Sequence, residues 1–486
     1  MSRISTHLLI GLTLSLVSTF LMPTATTTRE WVQLFPTGAT PVARAQSGSA
    51  YDEANDRLII FGGATVSTLA DDVWVLTNAS AAAAAPGWVQ LAAIGPAPQA
   101  RNQTSAVYDP TSNRLIMHGG FNSSVISLSD TWVLTFANSL GGTPQWMELP
   151  PAPVSRVGHV MVYDEANSHM IVFGGNTGPP GTELNDVWVL KDANGIGSPA
   201  WEQLSPAGPA PPARTHSQGA YDPSSNRLII FGGRATGSAF DDVWVLDNAN
   251  GIGGPPQWTQ MSPGGDPPAA RGGHVMFYDQ QRNSIIMFGG GDEQANPVFN
   301  DSWLLTEANG LGGPPQWVQI APEGGPPVAR FWPAAGYSAD SRRLVVAMGN
   351  QTAFPNYLSD TWVLTEEDAA APREVEIDIK PGSSQNSINL RARGTLPVVI
   401  LSTPSFNAAT VDPLTVTLAG APARLKGDGK PMASLEDVSG DGLADLVVHV
   451  STGALQLSET DEEAALEGQT FSGGAIRGTD SIRIVR

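Results

Sequence analysis

The chain has 486 residues, of which 26 are Lys or Arg and 46 Asp or Glu, giving a formal charge of −20. Such an acidic balance argues against nucleic acid and anionic membrane surfaces, because a phosphate partner needs a basic face. There is no cysteine, which excludes disulfides, zinc–thiolate centres and a cysteine nucleophile.

At the N-terminus, Arg3 and His7 precede the apolar run Leu8–Met22. A short apolar run behind a weakly basic start reads as a secretory signal. It is short for a membrane span of about 20 residues. Residues 1–28 are therefore expected to be a leader, and the mature protein to be secreted, periplasmic or on the cell surface, with no membrane span.

A repeated pattern follows. "NDRLIIFGG" ends at Gly63, and its echoes end at Gly120, Gly175, Gly233 and Gly290, while the sixth, "RRLVVAMGN", is altered. After each comes an Asp-x-Trp, with tryptophans at 74, 132, 188, 244, 303 and 362, spaced by 58, 56, 56, 59 and 59 residues. A long regular period marks a repeat architecture. Each repeat holds four short segments rich in Val, Ile and Trp, bounded by Gly, Pro, Asn and Asp, which are strand signals with turn punctuation. Four strands repeated six times predict a β-propeller with radial four-stranded blades.

The fourth segment carries Trp31, Trp88, Trp146, Trp201, Trp258 and Trp317. Trp31 precedes the first repeat, and no such segment follows Trp362. The N-terminal "WVQL" is thus expected to complete the sixth blade and close the ring over residues 29–366.

The order Arg, Tyr-Asp, Gly-Gly, Asp-x-Trp-x-Leu, Trp resembles the kelch repeat, from Trp31 to about Thr365. That resemblance implies a kelch β-propeller. The period exceeds the usual ~50 residues, and loops such as Asp247–Gln257 supply the excess. No Trp-Asp pair closes the repeats, so the WD40 pattern fits less well.

Most repeated residues read as packing: glycine pairs where backbones approach, and Trp with Tyr51, Tyr108, Tyr163, Tyr221, Tyr278 and Tyr337 between blades. The arginines carry two readings. Arg44, Arg101, Arg156, Arg214, Arg271 and Arg330 occur once per repeat. In kelch propellers this position lies near the channel mouth, where six guanidiniums would bind carboxylates or other anions. Alternatively each pairs with a repeated Asp: Asp72, Asp130, Asp186, Asp242, Asp301 or Asp360.

Beyond "EEDAAAP", expected to be a linker over 367–373, a new alternation begins. Val375, Ile377 and Ile379 face one way and Glu374, Glu376 and Asp378 the other. Residues 374–486 are expected to form a small β-sandwich-like domain. In its "DVSGDGLAD", Asp437, Ser439, Asp441 and Asp445 alternate oxygen donors and Gly442 permits a sharp turn, a pattern suited to Ca2+. The loop resembles those of dockerins and integrin-type propellers, but Val448 stands where an EF-hand needs a carboxylate.

No catalytic set emerges. His159, His216 and His274 fall at similar repeat positions and read as architectural, and there is no H-E-x-x-H, G-x-S-x-G or phosphate loop. Copper radical oxidases of the kelch type use a cysteine–tyrosine crosslink, so copper is not expected. Sialidase-type S-x-D-x-G-x-T-W boxes are missing. The expected function is an exported, monomeric, non-enzymatic scaffold binding a protein or glycan at the propeller face or funnel. The alternative is a sugar-acting enzyme similar to the kelch-type sialic-acid epimerases.

Overall fold

A computed structural model describes residues 27–179, 181–291, 297–351, 356–368, 372–383, 385–403, 406–471 and 474–485. The expected leader lies almost wholly outside them. The chain divides into two compact units, Thr28–Glu366 and one that includes Glu367–Arg486. Strands dominate both; the helical turns among the described residues are two short 3-10 segments, Ala408–Thr410 and Thr452–Ala454. None of the described helices is long and apolar enough to cross a membrane.

Each repeat of the first unit forms one open, antiparallel, four-stranded sheet. In the fourth repeat these strands are Gln218–Asp222, Arg227–Phe231, Val243–Asp247 and Gln257–Met261. Alternating side chains face the neighbouring sheet on either side, so the central strands bury both faces and read as near-continuous apolar runs. Leu228, Ile229, Ile230 and Phe231 are all buried. Leu228 and Ile230 pack with the third sheet, and Ile229 and Phe231 with the fifth. Burying one such side chain contributes roughly 1.5–3 kcal/mol.

The sixth sheet draws on both ends of the repeat region. Thr27–Leu34 lies beside Thr361–Asp368, which pairs with Arg343–Ala347 and then Ala334–Ser338. Arg29 and Glu366 form an ion pair at 2.8 Å across this junction. Trp31 takes the role of the other fourth-strand tryptophans. Its ring lies 4.8 Å from Phe288 of the fifth sheet, as Trp317 lies 5.0 Å from Phe231 and Trp258 5.1 Å from Phe173. The strand begins at Thr27, two residues inside the expected leader boundary.

The sixth glycine motif differs from its sequence reading. Met348, at φ 62°, occupies the place of the first glycine, and Gly349, at φ 108°, is the second. Two bonds fix this register. Arg330 Nη1 donates to the Met348 carbonyl, as Arg44 does to that of Gly62. The Gly349 amide donates to the Arg44 carbonyl, as that of Gly290 does to Arg330. The sequence altered at this point is "AM", not the residue after the glycine.

The second unit packs two sheets on one core. One sheet has the order Arg373–Glu374, Ala475–Ser481, Glu463–Thr470, Val411–Leu418, Ala421–Pro422; the other Ile377–Ile379, Thr395–Ile400, Asp445–Ser451, Ala433–Glu436. Val375, Ile377 and Ile379 share that core with Val398, Val416, Leu418, Val448 and Leu466.

Candidate functional site

The six arginines precede the first strand of each sheet, four residues ahead of it in the fourth repeat, and Arg101 sits in a two-residue strand, Arg101–Asn102, of its own. Each is at most 1 % exposed. Each clasps the repeated Asp of its own sheet through both terminal nitrogens: Arg101 to Asp130 at 2.6 and 2.7 Å, Arg214 to Asp242 at 2.6 and 2.9 Å. Arg44–Asp72, Arg156–Asp186, Arg271–Asp301 and Arg330–Asp360 repeat the clasp. The tryptophan two residues on donates its indole N–H to the same carboxylate, at 2.7 Å from Trp244 to Asp242. Burial alone would raise Asp242, but Arg214 and Trp244 hold it below the usual carboxylate range. The anion-binding reading of the arginines is therefore corrected: their donors are spent inside the sheets. None of them lines the central cavity, because each points along its own sheet.

Two residues beyond each arginine lies a second repeated feature, which the sequence does not announce by residue type. Gln46, Gln103, Gly158, His216, Gly273 and Trp332 all have φ between 53° and 63°. Their backbones form one circuit. Gln103 donates to Gln46, Gly158 to Gln103, His216 to Gly158, Gly273 to His216, Trp332 to Gly273 and Gln46 to Trp332, at 2.7–3.3 Å. The amide of each sheet is thus satisfied by its neighbour.

Side chains cover this circuit unevenly. A Cβ on Gly158 would lie 2.8 Å from His216 Nε2, and one on Gly273 would lie 2.6 Å from the Trp332 indole. Glycine is required there because the next side chain lies flat over it. His216 reaches across to Gln103 Oε1 at 3.0 Å, and Trp332 meets the His216 ring at 5.1 Å. Trp332, His216 and Gln103 therefore lie over one end of the ring. Behind them is a cavity of about 450 Å3 whose walls include the six repeated tyrosines.

The three histidines are not equivalent. His159 and His274 sit three residues after their arginines and His216 two. Neither ring nitrogen of His159 or His274 has a hydrogen-bond partner among the described residues. Both pack against glycine motifs: His159 Cε1 would touch a Cβ on Gly119, and His274 Cε1 one on Gly232. Burial, then Arg271, pushes His274 down to about 3. Burial and then Arg234 hold His216 well below the ordinary imidazole range.

His216 also borders a second, loop-face cavity of about 520 Å3, lined by Gln103, Phe121, Asn176, Glu183 and Arg234 among others. Arg234 Nε donates to His216 Nδ1 at 3.2 Å. With Nδ1 accepting, His216 carries its proton on Nε2 and donates it to Gln103. Glu183 Oε1 accepts the Thr236 amide at 3.1 Å and hydroxyl at 2.9 Å. Sequence reasoning missed Arg234, although it left a signal. After the glycine motif the other repeats have Ala64, Phe121, Asn176, Gly291 and Asn350, and the fourth alone places a charge there.

In the second unit, Asp437 accepts the Gly440 and Gly442 amides at 2.8 and 3.1 Å, and Asp441 that of Leu443 at 2.8 Å. Asp445 is buried and accepts the amides of Ser402, Val438 and Ser439. Those bonds outweigh the upward push of burial and hold its carboxyl below the ordinary range. Among the described residues no three His, Cys, Asp or Glu side chains are grouped as a metal site requires. Asp437, Asp441 and Asp445 thus brace the turn through backbone amides, with Ser439 donating its own amide to Asp445.

Comparison with known proteins matches residues 142–250 and 195–370 to the KLHDC2/KLHL20/DRC7 Kelch-repeats domain. The chain is 28% identical over 205 residues to Tip elongation aberrant protein 1 of Schizosaccharomyces pombe, covering 42% of this chain and 17% of that protein. It is 26% identical over 213 residues to an F-box/kelch-repeat protein of Arabidopsis thaliana, covering 43% and 42%. It is 28% identical over 222 residues to Kelch repeat-containing protein 2 of Saccharomyces cerevisiae, covering 44% and 24%. The chain thus spans less than half the length of these relatives. Among solved structures, YjhT aligns with a TM-score of 0.49 at 17% identity, over 68% of this chain and 98% of that one.

Proposed function

From the premise that this chain is a kelch-repeat protein, we propose that it is an exported, non-enzymatic scaffold that holds a protein or glycan at the loop face of its ring. One observation carries the reading. The repeated charged and imidazole groups serve the sheets themselves, whereas the residues after the glycine motif differ from repeat to repeat. Recognition then belongs to these loops, as is common where a rigid scaffold positions variable loops. The test is chemical crosslinking of the full chain to material from the extracellular fraction. A partner crosslinked by the wild type and lost on Arg234→Ala supports the reading. Leu140, Ile196 and Ile252 are exposed apolar residues between the third and fourth strands of the second, third and fourth sheets; a partner retained in the Arg234→Ala variant and lost on their substitution would place recognition elsewhere.

His216 favours a second reading, the sugar-acting enzyme. It is an unrepeated, neutral imidazole at the ring mouth, beside Arg234, and a base or proton shuttle needs that form. Sugar conversion followed by NMR, abolished in His216→Asn, would establish it.

For the second unit, Ca2+ at Asp437, Ser439, Asp441 and Asp445 is proposed on spacing alone. Asp437 and Asp441 are exposed, but Asp445 would have to give up its amide bonds. A melting temperature raised by calcium and restored by EDTA supports the ion; equal melting in both leaves the loop a turn.

A further inference from the structure

We propose that the loop-face cavity beside His216 binds an uncharged, hydroxyl-rich ligand, the vicinal-diol face of a neutral carbohydrate unit. The inference rests on the binding-scaffold reading and gives it a ligand class.

Size comes first. The cavity, about 520 Å3, falls within the roughly 300–1,000 Å3 of small-molecule sites. Its polar groups are of mixed kind and partly unspent. Asn176 Oδ1 is used by the Gly178 amide at 2.7 Å, and its Nδ2 donates to no other described group. Gln103 Oε1 is used by His216, leaving the amide nitrogen as donor. Glu183 uses Oε1 for Thr236, leaving Oε2 as acceptor. Donors and an acceptor around one cavity match a row of hydroxyls, each of which both gives and takes a hydrogen bond. Phe121 adds an apolar wall for the C–H face of a sugar ring.

Charge decides between neutral and acidic ligands. Arg234 alone would favour a carboxylate. Glu183 borders the same cavity, however: burial pushes its carboxyl up, but hydrogen bonds from its own backbone and from Thr236, and then the cation of Arg234, hold it below the ordinary range. The two charges offset each other, and the chain as a whole carries −20. A ligand carboxylate would therefore gain from Arg234 and lose to Glu183 in the same cavity, whereas a diol exchanges hydrogen bonds to water for hydrogen bonds to these groups with no charge to offset. Position supports the same conclusion. Arg234 is braced by His216, which is buried and fixed in one tautomer by Gln103, so the guanidinium is held rather than tethered loosely. Preorganisation of this sort lowers the ordering cost of binding.

The test is isothermal titration of the full chain with a neutral hexose, a neutral disaccharide, a hexuronic acid and inorganic phosphate. Glu183→Gln and Asn176→Ala are run alongside; both residues line the cavity and are only half-buried, and unchanged melting verifies the fold. Expected are saturable binding of a neutral sugar, at least tenfold weaker in each variant, and weaker binding of the hexuronic acid. Tighter binding of the hexuronic acid or phosphate, improved by Glu183→Gln, would overturn the proposal in favour of an anion site. Silence from every sugar, with a protein partner still captured, would overturn it and leave the scaffold reading standing. Binding accompanied by conversion of the sugar would leave the ligand class intact and sink the non-enzymatic reading.

Discussion

At the scale of single residues, the repeated arginines are structural and costly to remove. Truncating one partner of a buried ion pair leaves an uncompensated charge and costs about 3–5 kcal/mol. Arg214→Ala is therefore expected to lower the melting temperature far more than substitution of an exposed cation such as Lys191, and calorimetry checks this. The histidines set the pH response. His118 and His274 are pushed down to about 3, and His159 and His216 are also depressed, in each case by burial first. Folding keeps them neutral while the unfolded chain protonates near 6.5. Their contribution is present in full above that pH and is lost progressively as pH falls below it, down to about 3 for His118 and His274. Each uncoupled group costs about 1.4 kcal/mol per pH unit in that window. His118 stands where other repeats have Phe61, Phe173, Phe231 and Phe288. His118→Phe should thus flatten the stability profile between pH 6.5 and 4, measured by denaturant unfolding. An unchanged slope would contradict its neutral burial.

At the scale of elements, a further network joins each sheet to the next on the face opposite the Trp332–His216 cover. Asp52 accepts from Tyr108 and Asn138 of the following sheet, at 3.1 and 2.7 Å. Asp109 accepts from Asn194, Asp164 from Asn250 and Asp222 from Asn309. Asp279 accepts from Tyr337 at 2.9 Å. Between the sixth and first sheets the pattern lapses. Ser338 replaces the Asp, Ser80 replaces the Asn, and Tyr51 donates within its own sheet to Asp56. Hydrogen bonds to charged groups contribute about 1.5–3 kcal/mol. Ser338→Asp with Ser80→Asn should therefore raise the melting temperature, while Ser338→Asp alone should lower it by burying a carboxylate without its amide donor. A double-mutant cycle showing no coupling would contradict this.

Much at this scale was legible in the sequence. Strand segments, tryptophan spacing and the alternation at Val375, Ile377 and Ile379 followed from apolar period and turn residues. The circuit through Gln46, Gln103, Gly158, His216, Gly273 and Trp332 was not legible. Those positions share a backbone conformation rather than a residue type, and hydrogen bonds between main-chain groups leave no pattern in side chains. The loop-face cavity was hidden for a related reason: its lining comes from separate repeats, and only Arg234 departs visibly from its counterparts.

At the scale of the molecule, the repeats supply a rigid frame, and individuality is concentrated at the loops on one face. The measurement that tests this division most directly is amide hydrogen exchange of the full chain, alone and with the neutral sugars. The account predicts that the amides of Gln46, Gln103, Gly158, His216, Gly273 and Trp332 exchange as slowly as the central strands. Added sugar should slow only segments 176–184 and 234–240. Ring amides that exchange as fast as the loops, or sugar protection spread evenly over all six repeats, would contradict it.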